Sequence, residues 1–572
     1  MKLAASRQLL SPRKHMTRRL TGILCTTLLS VPSIAQERSQ SGLELQAPRA
    51  MVSQPVRAPH AMIASVNELA TDAGLKILRE GGNAVDAAVA VAVTLAVVHP
   101  EAGNLGGSGH MLIRMHDGRT AAIDYSGVSP AATKSDTPSN ELLYGYKSAA
   151  VPGTPAGMGL AHDKFGRLPW KDCLQPAHDL AEKGFPASER MELILKLQVP
   201  VMKQFPESAK IFLHGSDKPL MQGELVIQHD LADTIERMQK YGWQEFYTGK
   251  TAKLIAADMA AHGGWISEQD MRDYRAEIHD PLRFTYRGYQ ILTVPPSASG
   301  GLTEAVALNT LENEHMPLGS EGSSMALHLQ IEALRRGFET TRLYERVDEK
   351  TPLDEFTSKQ YATKLAATIQ LDKATPATVT DSSRHESTET THFSVVDEEG
   401  NIVTNTYTLS GYYGSQVIPA GTGVLLNNHM SVFNHNSQTK YFLAPHHRYI
   451  TTLAGTIILH PDGTPWAAFG TPGAATIPST VVELVNNLVD FKMSLRDAVE
   501  YPRIHYDLNR NLVQAEPGAL VNDVADRLKE MGYKLDPKLR SQGDVNAIEI
   551  EDGTGWRLGS SDGRRGGTAK GY

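Results

Sequence analysis

Cysteine is nearly absent: the 572 residues hold two, Cys25 and Cys173. A disulfide framework is therefore excluded, and stability must come from a buried core, which a chain of this length with 41% hydrophobic residues can supply. No internal repeat is found, and the 48 glycines and 31 prolines are scattered as turn punctuation, a composition that gives no hint of collagen, coiled coil or general disorder. No H-E-x-x-H or similar ligand spacing occurs, so neither a metal nor a cofactor is expected. Long apolar runs are missing as well. The run from Leu20 to Val31 falls short of the roughly 20 residues that cross a bilayer.

What that run does fit is a secretory signal. A basic stretch ending at Arg18 and Arg19 precedes it and Ser33-x-Ala35 follows it, so residues 1–35 read as a signal peptide cut after Ala35, with a periplasmic or secreted protein as the product. Cys25 lacks the small residue expected before a lipidated cysteine. Removing these residues takes away six basic side chains and no acidic one, moving the formal charge from −8 to −14. An acidic mature chain disfavours a nucleic-acid partner, which needs a clustered positive field, and no membrane association is expected once the signal is gone.

Along the chain, "SVNELATDAGLKILREGGNAVDAAVAVAVTLAVVHP" predicts two helices, one stopping at Gly81-Gly82 and one over 83–98. The second is apolar almost all round but carries Asp86, which marks a buried core helix. "EAGNLGGSGHMLIRMHDGRTAAIDYSG" opens a hairpin turned at Asp117-Gly118. Its glycine-rich loop follows a helix and opens a strand, the reverse of a dinucleotide fingerprint, so close backbone packing explains it better than phosphate binding. Residues 152–313 read as mostly helical, and "SSMALHLQIEALRRGFETTRLY" as a further long helix. The segment 371–389, rich in Thr, Ser, Asp and Pro, is expected to be mobile. Strands follow: "THFSVV" and "IVTNTYTL" around Gly400-Asn401, "LAGTIIL" and "PWAAFG" around Asp462-Gly463, then the helix "STVVELVNNLVDF". Helices, hairpin systems and helices again predict an antiparallel sheet core between helical layers.

The sharpest feature is the junction at Glu389-Thr390, where a polar run meets a strand that begins with two threonines. A threonine hydroxyl is a weak nucleophile until a base takes its proton, and its own α-amine can be that base once the preceding peptide bond is cut. The hydroxyl could make that cut itself by attacking the carbonyl before it.

Ordered blocks around this junction resemble the γ-glutamyltranspeptidases: "GGNAVDAAVAVAVTLAVVHPEAGNLGGSGHMLIR", "AVPGTPAGM", "YRGYQILTVPPSASGG", "TTHFSVVDEEGNIVTNTYTL", "GTGVLLNNHMSVF" and "FGTPGAATI", within a stretch from about Ala64 to the terminal "GGTAKGY". The resemblance implies an α+β fold, the four-layer αββα sandwich of N-terminal nucleophile hydrolases. It implies a large subunit, 36–389, ending in the linker 371–389, and a small catalytic subunit, 390–572, held together as a heterodimer. It further implies Thr390 as nucleophile, Thr408 as the hydroxyl that orients it, and the backbone N–H groups of Gly473 and Ala474 as the oxyanion hole. The family has a second glycine where this chain has Ala474. The substrate would be a small acyl amide such as glutathione, with water or an amine as acceptor.

The family's donor-binding positions are changed together. Ser126 replaces the arginine that grips the α-carboxylate, Ser410 replaces an asparagine, His429 and Val432 replace the residues that take the α-ammonium, and Thr451-Thr452 replace a serine pair. Serine cannot stand in for a guanidinium fork, nor valine for an aspartate. An amide-cleaving centre with an altered acyl pocket is implied, open to γ-glutamyl amides or to another acyl group such as glutaryl. The stretch between Phe433 and Thr451 is shorter than the family's loop, which favours hydrolysis over transfer. His429 and Arg448 sit at pocket-lining positions and could bind a dicarboxylic acyl group, whereas His446 and His447 read as exposed loop residues. An inactive binding protein on the same fold is the competing expectation, against which Thr390, Thr408 and Gly473 are all retained.

Overall fold

The computed structural model describes residues 54–215, 217–376 and 389–572. The expected signal peptide and positions 377–388 of the expected linker lie outside the described residues.

Two seven-stranded sheets form the centre. The first runs, edge to edge, Thr568–Gly571, Met62–Ser65, Glu389–Val396, Ile402–Ser410, Ser108–Arg114, Thr120–Asp124 and Glu277–His279. The second runs Val56–Ala58, Arg557–Ser561, Asn546–Ile550, Pro465–Phe469, Thr456–Leu459, Tyr289–Thr293 and Leu282–Tyr286. Among the described residues, neighbouring strands in both sheets pair antiparallel, and three of the hairpins turn on glycine: Gly118, Gly400 and Gly463 all have φ between 85° and 89°. The sheets pack face to face through Met62, Leu112, Val396, Ile457, Ala468 and Ile548. Helices cover the outer faces, giving the αββα sandwich of N-terminal nucleophile hydrolases.

The helix Ala84–Val98 lies against the first sheet with all of its residues buried. Asn83 caps it through a capping box with Asp86. The helix before it, Glu68–Arg79, stops where Gly81 takes φ 93°. On the second sheet lie Ser299–Leu311, Ser324–Tyr344 and Ile477–Val489, whose apolar faces share one core with Ile291, Ile458 and Phe469.

Two expectations change. The stretch 152–313 is not only helical: Glu277–His279, Leu282–Tyr286 and Tyr289–Thr293 are strands that complete one edge of each sheet. Leu282–Tyr286 alternates buried and exposed residues, the period-2 pattern of a half-covered strand. The start of the 371–389 segment is tied down, because Ala374 N–H donates to Met531 O at 2.7 Å and Thr375 N–H to Glu332 Oε1 at 3.0 Å.

Asp86 is the polar keystone of the first helical layer. Its carboxylate accepts from the backbone N–H groups of Asn83, Arg167 and Leu168 at 2.9 to 3.2 Å. Replacing it with alanine strands the buried Asn83 N–H and the part-buried N–H groups of Arg167 and Leu168, so Asp86→Ala should destabilise the protein by about 3 kcal/mol. Denaturant titration of the two proteins checks this; equal midpoints would refute the role.

Candidate active site

The strands Glu389–Val396 and Ile402–Ser410 are central in the first sheet, and their pairing slips beside Thr390. Glu389 faces Ser410 and Thr391 faces Tyr407, so Thr408 and Leu409 together oppose the single residue Thr390. Such a bulge re-aims the side chain of the longer strand. Thr408 Oγ1 donates to the carbonyl oxygen of Glu389 at 2.5 Å, and accepts from Ser410 N–H at 2.7 Å. A carbonyl oxygen can only accept, so the hydroxyl proton lies in the first bond. Ser410 holds this geometry with φ 82°, a left-handed backbone that asparagine tolerates better than serine.

Glu389 is buried, and its carboxylate is clamped between two guanidinium groups. Arg565 Nη1 donates to Oε1 and Arg190 Nη2 to Oε2, the latter at 3.3 Å. Arg565 Nη1 also donates to the carbonyl oxygen of Thr390 at 3.1 Å. Arg190 further faces the buried Glu101 at 3.6 Å, which pairs with His99 at 3.0 Å. Asp544, also buried, lies in the field of Arg565 and Arg190; burial pushes its carboxyl up to about 7 against their pull.

The turn carrying Gly473 and Ala474 is held against the same strand. Gly470 packs so closely on His392 that a Cβ there would lie 2.4 Å from the ring, and Asn546 Nδ2 reaches His392 O at 3.1 Å. His392, hydrogen-bonded to Thr406 Oγ1 at 2.7 Å, is kept neutral by burial, which lowers its pKa to about 3. Gly473 takes φ 137° and Ala474 φ 56°. Thr452 Oγ1 donates to Ala474 O at 2.8 Å, which joins this turn to the pocket wall.

The wall gathers the remaining expected residues. Thr451 O accepts from Ser299 N–H and Oγ at 2.7 and 2.8 Å. Ser297 lies beside it and binds His110 Nε2 at 3.0 Å; His110 in turn is 3.4 Å from Asp124, whose Oδ1 accepts from Ser126 N–H at 2.8 Å. His429 stacks on Tyr449 with ring centroids 4.4 Å apart and places Nδ1 3.4 Å from Ser108 Oγ. Burial depresses its pKa to about 3, so it is neutral at any working pH. Val432 sits in an apolar cluster with Leu142, Met430, Phe433, Leu443 and Tyr449. Ser126 Oγ and His429 Nε2 are buried without a partner in the protein, as polar atoms that face a ligand or water would be.

Arg448 is not offered to an anion. Nη1 donates to Ser126 O at 2.9 Å, while Nη2 binds Arg275 O at 2.5 Å and Glu277 at 3.0 Å. His429 is thus uncharged, and the Arg448 guanidinium is engaged by the wall. His446 is exposed, as expected, and His447 is half-buried, with Nδ1 3.1 Å from Phe442 O. The short loop before them folds back on the helical layer, with Lys440 N–H donating to Glu345 O at 2.8 Å.

Sequence reasoning missed Arg190, Arg565, Glu101 and Asp544. A separate group, Asp86, His162 and Cys173, brings three possible ligand atoms within 4.8 Å. There the carboxylate already serves backbone N–H groups, His162 Nε2 faces Leu168 O at 2.8 Å, and burial holds the Cys173 thiol well above its usual range. These atoms are engaged in holding the helix start.

The family model for gamma-glutamyltranspeptidase matches residues 70–572. The chain is 35% identical over 536 residues to a glutathione hydrolase proenzyme of Escherichia coli (strain K12), covering 90% of this chain and 92% of the relative. It is 34% identical over 519 residues to an acylase ACY 1 proenzyme of Pseudomonas sp. (strain V22), covering 88% and 92%. Among solved structures, a cephalosporin acylase from Bacillus halodurans superposes with a TM-score of 0.83 at 26% identity, covering 91% of this chain and 97% of that one.

Ala474 carries a left-handed strain of about 1 kcal/mol that glycine would not. Ala474→Gly should therefore raise stability by about that amount in denaturant titration. A loss of stability would show that the methyl group is held by packing that outweighs the backbone cost.

Proposed function

The chain belongs to the γ-glutamyltranspeptidase family, and on that premise we propose that it is an exported, self-processing threonine amidohydrolase acting through an acyl-enzyme on Thr390. The observation that carries the reading is the Thr408 hydroxyl hydrogen-bonded to the carbonyl of Glu389, one residue ahead of the proposed nucleophile. In the uncut chain this bond polarises the carbonyl that Thr390 Oγ must attack and stabilises the charge that develops on its oxygen. Attack forms an ester between the Glu389 carbonyl and Thr390 Oγ as the C–N bond breaks and the nitrogen takes a proton. Water then releases the Glu389 carboxylate and leaves Thr390 with a free α-amine.

In the cut enzyme that amine takes the hydroxyl proton as Thr390 Oγ attacks a substrate amide. The N–H groups of Gly473 and Ala474 receive the oxyanion, the leaving amine departs protonated, and water or an amine acceptor discharges the ester. Both products of the cut contribute strands to both sheets, so the two subunits would stay together as a heterodimer. Export rests on the signal-like N-terminus; the mature large subunit should begin at Gln36.

A γ-glutamyl group brings an ammonium and a carboxylate on one carbon, and each costs several kcal/mol to desolvate unless partners replace water. Val432, neutral His429 and Ser126 supply no charge to either. An acyl group without the α-ammonium suits this wall better, in keeping with the acylases among the relatives. The hydrolysis of γ-glutamyl amides typical of the glutathione hydrolases is the second reading, favoured by the 35% identity to one of them.

On a denaturing gel the purified protein should run as two fragments, the smaller beginning at Thr390, and Thr390→Ala should remain one uncut chain. Thr408→Val, which removes the donor, should slow cutting by about 100-fold or more. An uncut wild-type protein would overturn the reading. With p-nitroanilides, glutaryl should be turned over with a higher kcat/KM than γ-glutamyl; a γ-glutamyl preference of orders of magnitude would assign the second reading instead.

A further inference from the structure

Counted from the carbonyl that Thr408 holds, Glu389 is a five-carbon chain ending in a carboxylate. The carbonyl carbon, Cα, Cβ, Cγ and Cδ form a glutaryl skeleton that carries an amido group on its second carbon. The ester formed during self-cleavage is thus a substituted glutaryl ester of Thr390. Its far carboxylate is already bound in the uncut chain by Arg190 and Arg565.

Thr390 is buried in this state, and no substrate reaches it until Glu389 withdraws. Withdrawal leaves two guanidinium groups without the carboxylate they shared. Glu101 remains beside Arg190, and Asp544, raised to about 7 by burial, offsets Arg565 only in part near neutral pH. One negative charge is then missing from a buried site, where an unpaired cation is costly.

We propose that Arg190 and Arg565 are the carboxylate subsite of the mature acyl pocket, and that the acyl group they accept is a linear five-carbon dicarboxylic chain. The residue ahead of the nucleophile is, on this view, an internal model of the substrate. A γ-glutamyl group would carry its ammonium next to the same carboxylate and push a third positive charge toward the pair, which disfavours it. The inference rests on the amidohydrolase reading above and adds the substrate class and the residues that select it.

The test uses the cut enzyme and p-nitroanilides of glutaryl, pentanoyl, succinyl and adipoyl groups. Glutaryl should exceed its uncharged five-carbon counterpart, pentanoyl, by about 100-fold in kcat/KM, mainly through KM, with succinyl and adipoyl both weaker. Arg565→Lys and Arg190→Gln should each lower the glutaryl-to-pentanoyl ratio at least about tenfold. A variant-free arm covers any failure of these proteins to cut: glutarate, but not pentanoate, should protect Arg190 and Arg565 of the wild-type enzyme from phenylglyoxal, read by peptide mass. Equal turnover of glutaryl and pentanoyl substrates, a ratio unmoved in both variants, or no protection at either arginine would overturn the subsite while leaving the amidohydrolase standing. Absence of turnover with every anilide by the cut protein would remove both.

Discussion

One hydrogen bond organises the junction between Glu389 and Thr390: the hydroxyl of Thr408 on the carbonyl oxygen of the residue before the threonine. It exists because the pairing slips by one residue there, and it has a defined direction because a carbonyl oxygen can only accept, while Ser410 N–H holds the hydroxyl in place. The bond lies in the third and fourth strands of a seven-stranded sheet, buried beneath helices and far from water that would weaken it. Sheet order, bulge and left-handed Ser410 are therefore parts of one device. Each would be a defect taken alone, and together they aim a proton at a peptide carbonyl.

Charge around that device is distributed unevenly. On the side of Ser126, His429 and Val432 those three side chains carry no charge, the buried Asp124 accepts from Ser126 N–H, and Arg448 donates to two backbone carbonyls and Glu277. On the side of Glu389 two guanidinium groups meet in a buried space with three carboxylates close by. The change relative to the family's donor positions reads less as loss than as a shift of the positive charge from one wall to another.

Local chemistry was legible in the sequence where it is written in neighbouring residues. The helix start near Asn83, the stop near Gly81 and the hairpins at Gly118, Gly400 and Gly463 all follow from adjacent side chains and backbone preferences. The nucleophile candidate, Thr408 and the Gly473-Ala474 turn were visible through ordered blocks. Arg190 and Arg565 were not. The first lies in "ERMELILKLQVPVM", which has the mixed polarity of a surface helix, and the second in a glycine-rich tail that reads as a terminus. Nothing local says that positions 190, 389 and 565 converge; only the sheet order brings them together. The same holds for the bulge, since Thr408 reads as one more threonine in an alternating strand.

The first sheet ends, at one edge, in Thr568–Gly571, beside Met62–Ser65 and one strand away from the junction, and Arg565 stands just ahead of it. That strand is paired on one side alone, so fraying at this edge would loosen the guanidinium that grips position 389.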